Sequence, residues 1–181
     1  FMCGIIGYNG KKNAIPILIE GLKKLEYRGY DSSGIAYFID NQIKIFKEKG
    51  RISELEKLLV DDKPTIGIGH TRWATHGKPS KINAHPHRVG KVTLVHNGII
   101  ENYNVLKEEL KKKGYQFQSE TDTEVATALI DSLYQENDNK LEILEKAKNL
   151  LKGSYAFVIM FDDCKDTLYA LREGSPLIVA K

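Results

Sequence analysis

The chain has 181 residues, enough for one domain with a sizeable core. It is 41% hydrophobic and 28% charged, and a net charge of +3 with Lys and Glu interleaved is too mild to argue for nucleic acid. No apolar run approaches the roughly 20 residues that span a bilayer, no signal-peptide pattern opens the chain, and Cys3 and Cys164 make no disulfide framework, which points to a reducing cytoplasm.

Cys3 to Tyr8 reads as a short strand. Asn13 is placed to cap a helix running to about Glu26, with Ile15, Leu18, Ile19, Leu22 and Leu25 on one face. Two strand patterns, Gly34–Ile39 and Gln42–Lys47, flank Asp40-Asn41 as a hairpin. A short helix is expected from Ser53 to Leu59, then strands at Thr65–Thr71 and Val92–His96. Amphipathic helices are expected at Asn102–Lys113, stopped by Gly114, at Asp122–Tyr134 and at Lys140–Lys152. Tyr155–Phe161 and Thr167–Leu171 should pair antiparallel across a polar turn. Tyr155–Phe161 is apolar throughout, and an antiparallel strand of that kind needs cover on both faces. Paired sheets with helices outside them supply such cover. Pro176–Lys181 reads as the opening of one more strand, so the domain is expected to continue beyond it.

Four stretches carry chemistry. Buried cysteine is commonly a small hydrophobe, but Cys3 stands almost at the amino terminus. Were it residue one, its own amine could deprotonate its thiol, as an N-terminal amine does for threonine nucleophiles. Gly69-His70-Thr71-Arg72-Trp73-Ala74-Thr75-His76-Gly77 runs from a strand into a long polar loop, where Arg72 is either a surface arginine or a bidentate carboxylate ligand. Asn97-Gly98 between apolar runs is a tight-turn signal, and the same turn would set two oxyanion-hole donors side by side. Ser119–Val125 is a helix start rich in acids, one of which could bind an ammonium, although spacing does not say which. His76, His85 and His87 match no zinc signature, and no metal is expected. Together these parts fit a substrate with an amino-acid head and a side-chain carbonyl, such as glutamine.

The stretches Cys3–Gly7, Leu25–Ser32, Gly69–Gly77, His96–Asn102 and Ser119–Val125 resemble, in order and as a set, the glutaminase domain of glucosamine-6-phosphate synthases, the isomerising glutamine–fructose-6-phosphate aminotransferases. The resemblance implies an α+β, N-terminal-nucleophile hydrolase fold with two antiparallel sheets between helical layers. It implies that Cys3 forms a γ-glutamyl thioester and releases ammonia, with Asn97 and Gly98 as the oxyanion hole and Arg28 and Gly29 beside the nucleophile. Arg72, Thr75 and His76 would hold the substrate α-carboxylate and Asp122 its α-ammonium. Trp73 would stand where ammonia leaves. The reaction needs no cofactor. The implied partners are glutamine and sugar-isomerising domains with a fructose 6-phosphate site, which these 181 residues do not contain.

Two departures qualify this. Phe1 and Met2 stand before Cys3, whereas the nucleophile of the family is residue one. Phe1 outside Met2 is not a normal translation start and is expected to be an expression remnant. The last strands of the domain are expected to be missing. Within the class, the related domain of amidophosphoribosyltransferases is the rival, disfavoured by the Tyr27–Ser32 and Gly69–Gly77 stretches. Outside it, the rival is a silent domain that binds glutamine without turning it over.

Overall fold

Asn13 caps the first helix as its position predicts. In the computed structural model, which describes residues 3–73 and 77–180, its side chain accepts a hydrogen bond from the Ile15 N–H at 3.1 Å. Such a cap is worth about 1 kcal/mol. It opens α1 (Ala14–Leu25), whose Ala14, Leu18 and Leu22 are fully buried. A 3-10 turn (Glu26–Arg28) follows. The hairpin of β2 (Ser32–Ile39) and β3 (Gln42–Lys49) turns at Asp40 and Asn41, both at positive φ, the geometry that their residue types favour. Both strands are longer than the sequence pattern indicates.

β1 (Gly4–Asn9) pairs with β4 (Ile66–Arg72), and β4 with β2, which gives an antiparallel sheet ordered β1-β4-β2-β3. α2, at Ile52–Glu56, is shorter than expected; it also starts one residue earlier, where the Glu26 carboxylate accepts the Ile52 N–H at 3.0 Å.

The second antiparallel sheet is ordered β5-β6-β7-β8. It consists of β5 (His87–Val89), β6 (Val92–Ile100), β7 (Gly153–Phe161) and β8 (Tyr169–Glu173). Against it lie α3 (Tyr103–Lys112), α4 (Asp122–Tyr134) and α5 (Lys140–Leu150). α4 has the bounds expected from sequence. β5 falls inside what reads as loop. Pro176–Ala180, expected to open a strand, is irregular; Pro176 has no N–H to give a ladder.

Alternation along the strands assigns the layers. Ile35 and Tyr37 of β2 join Leu18 and Leu22 of α1 in one core, while Ala36 and Phe38 face the other sheet with Val95, Val158 and Met160. Tyr155, Phe157, Ile159 and Phe161 of β7 pack against α4 and α5. β7 is therefore covered on both faces, which is why it reads as continuously apolar. The result is helices, sheet, sheet, helices: the α+β layering of an N-terminal-nucleophile fold.

Candidate functional site

Cys3 immediately precedes β1, whose Gly4 pairs with Thr71 of β4, so the thiol lies beside the end of β4. The backbone N–H of Trp73 donates to Sγ at 3.3 Å, and Sγ lies 3.4 Å from the Trp73 carbonyl oxygen. Burial pushes the thiol up from its ordinary range. The Trp73 hydrogen bond and the charge of Arg72 pull it down, and Asp31 opposes them.

Arg72 ends β4 and is only 3% exposed. Its Nη2 donates to the Gly77 carbonyl at 2.9 Å, and its Nη1 lies 3.4 Å from the Asp31 carboxylate. Asp31 is a partner that sequence reading missed, although it stands in one of the quoted stretches. Trp73 is 37% exposed, and its ring lies so close over Gly29 that a Cβ there would come within 2.4 Å of it. Arg28 closes the 3-10 turn just before.

Asn97 and Gly98 form no turn. They sit inside β6, opposite Ala156 and Tyr155 of β7. The ladder with β7 overrides the local turn preference of Asn-Gly. Gly98 has φ 126°, and a Cβ would stand 2.1 Å from the Ser154 carbonyl oxygen, so a side chain is excluded on both counts.

The acids of the α4 start separate cleanly. Thr121 caps the helix by accepting the Glu124 N–H at 3.2 Å. Glu124 accepts the N–H groups of Gln118 and Ser119, and Glu120 accepts from Lys78 and Asn83, so both tie down chain. Asp122 accepts the Ile100 N–H at 2.8 Å, has the Thr123 hydroxyl 3.5 Å from its Oδ1, and lines a cavity.

That cavity brings together Cys3, Arg72, Trp73, Gly98 and Asp122, five of the residues singled out by sequence. Its volume is about 20 Å³, room for about one water molecule. Asn97 and Gly29 do not line it. Thr75 and His76 lie outside the described residues. The remaining walls are His85, His96, Thr121 and Thr123, none of which sequence reading assigned a role.

All four histidines among the described residues are buried: His70, His85, His87 and His96. Burial holds His70 down at about 3 and His85 and His87 well below the ordinary range, so all three are neutral at pH 7. Among the described residues no three His, Cys, Asp or Glu side chains are arranged to hold a metal ion. No helix among the described residues is long and apolar enough to cross a membrane.

Residues 70–181 match the family model described as "Glutamine amidotransferase domain". The chain is 53% identical to a glutamine–fructose-6-phosphate aminotransferase [isomerizing] of Clostridium perfringens, over 98% of this chain and 30% of that protein. Identity to the enzyme of the same name from Clostridium acetobutylicum is 54%, again over 98% of this chain and 30% of that protein. The chain thus spans about a third of the length of these curated relatives. A solved glutamine phosphoribosylpyrophosphate amidotransferase from B. subtilis superposes with a TM-score of 0.73 at 30% identity, covering 89% of this chain and 35% of that one.

Proposed function

Since the chain belongs to the glutamine amidotransferase domain family, we propose that it hydrolyses glutamine at Cys3 and that the longer enzyme passes the ammonia to a sugar phosphate. The observation that carries this is the single cavity in which a thiol, an arginine, a carboxylate and a side-chain-free strand position converge. The Cys3 thiolate attacks the side-chain amide carbon of glutamine. The C–N bond breaks, ammonia leaves with the added proton, and water cleaves the thioester to glutamate and free thiol. Gly98 borders the developing oxyanion, with Asn97 as the adjoining donor. Arg72, with Thr75 and His76, takes the α-carboxylate, and Asp122 takes the α-ammonium. Arg28 and Gly29 flank the nucleophile, and Trp73 marks the exit.

The names of the relatives support fructose 6-phosphate as acceptor. The B. subtilis structure supports a second reading, ammonia delivery to phosphoribosyl pyrophosphate. Identity of 53% against 30% favours the first.

Trapping with a glutamine-like diazoketone, followed by peptide mass mapping, should place the adduct on Cys3. An adduct on Cys164 would remove the assignment. Arg72→Ala should weaken glutamine binding about ten-fold or more, because hydrogen bonds to a charged group contribute roughly 1.5–3 kcal/mol. Calorimetry giving an unchanged dissociation constant would reject that role.

A further inference from the structure

The two halves of the proposed site sit on different sheets. Arg72 ends β4, with Cys3 just before β1 and Trp73 just after β4, whereas Gly98 lies on β6 and Asp122 on α4. Their relative placement therefore depends on what joins the sheets here. A closed circuit of side chains does so. Thr123 Oγ1 lies 2.8 Å from His85 Nε2 and 2.8 Å from His96 Nδ1. The His85 ring stacks on His70 with centroids 4.1 Å apart. His70 Nε2 lies 2.7 Å from the carbonyl oxygen of His96, which closes the circuit two residues before Gly98.

Proton positions follow from the partners. A carbonyl only accepts, so His70 carries its proton on Nε2. Among the described residues His85 Nδ1 is buried without a hydrogen-bond partner, which suits a lone pair better than an N–H, so His85 also carries its proton on Nε2 and donates to Thr123. The Thr123 proton is then left for His96 Nδ1 or for Asp122 Oδ1, which is 3.5 Å away. The same hydroxyl thus joins the sheet-bridging histidines to the carboxylate proposed for the α-ammonium.

We propose that Thr123 is a positioning residue for this site, holding Asp122 and the Gly98 strand in register with Cys3 through His85, His70 and His96. This rests on the glutaminase reading above. It requires that losing the hydroxyl impair recognition of the amino-acid head while leaving the thiol itself as reachable as before.

The test uses the chain opened at Cys3 and compares two alkylating agents. Iodoacetamide reads the thiol alone, and a glutamine-like diazoketone reads the thiol together with amino-acid recognition. Thr123→Val, which keeps the shape and removes the hydroxyl, should slow diazoketone capture about ten-fold, the value of one or two lost buried hydrogen bonds. Iodoacetamide capture should be unchanged, and Thr123→Ser should restore the diazoketone rate. Equal slowing with both agents, slowing with neither, or no rescue by serine overturns the proposal. If Thr123→Val does not fold, His85→Phe removes the nitrogen facing Thr123 but keeps a ring against His70, and it must show the same selective loss. A wild-type chain that the diazoketone does not label at all would instead refute the glutaminase reading itself.

Discussion

A chain that opens at Cys3 should release glutamate from glutamine about 10²–10⁴ times faster than one that keeps Phe1 and Met2, the usual range for a positioned general base. The reasoning starts from the thiol. Burial raises it, and the opposing influences of Arg72 and Asp31 partly cancel, so it is protonated at neutral pH and needs a base. An α-amine ionises near 7.7–8.0 and can supply one at close range. An amide nitrogen in the same place cannot. His85, which also lines the cavity, has its Nε2 engaged by Thr123. Glutamate release by the two forms should be compared at equal concentration, with circular dichroism showing equal folding. Equal rates would mean that Cys3 uses some other base.

Lowering the pH from 7 to 5 should remove about 6 kcal/mol of folding stability. His70, His85 and His87 are buried and neutral, and each sits lower than its unfolded value near 6.5. Below that value the unfolded chain binds protons that the folded chain excludes, so stability falls with pH at about 1.4 kcal/mol per unit for each histidine. At pH 5 this is about 2 kcal/mol for each. For His70 the loss continues until about pH 3. Arg72 lies close enough to all three to disfavour their protonation further, and Lys47 does the same for His87. Chemical denaturation at the two pH values measures the difference. A change under about 2 kcal/mol would show that at least two of the three take up protons while folded.

Much of the fold is legible in the sequence because helices announce themselves locally. Asn13 and Thr121 cap where they stand, Gly114 stops α3 at positive φ, and the apolar periodicity of α4 gives both its ends. Features set by distant partners are not legible. Asn97-Gly98 has the composition of a turn, and only β7 makes it a strand. β5 is three residues long, with a histidine and an arginine among them, so nothing in it marks a strand until β6 lies alongside. The site shows the same division. Cys3, Arg72, Gly98 and Asp122 lie in stretches whose residue types suggest their chemistry. The choice of Asp122 over Glu120 and Glu124 depends on which carboxylates the surrounding chain already occupies. The histidines are spread from position 70 to 96 and acquire meaning only once the sheets stack them.

Where the Trp73 ring closes over Gly29 beside the cavity, any closure that glutamine must undo is part of its binding free energy. The affinity measured in solution is then the intrinsic affinity divided by the fraction of molecules open. If about 1% were open, the dissociation constant would rise about a hundred-fold, equivalent to about 2.7 kcal/mol. A substitution that loosened the Trp73–Gly29 contact could therefore tighten glutamine binding without touching glutamine, by enlarging the population able to receive it.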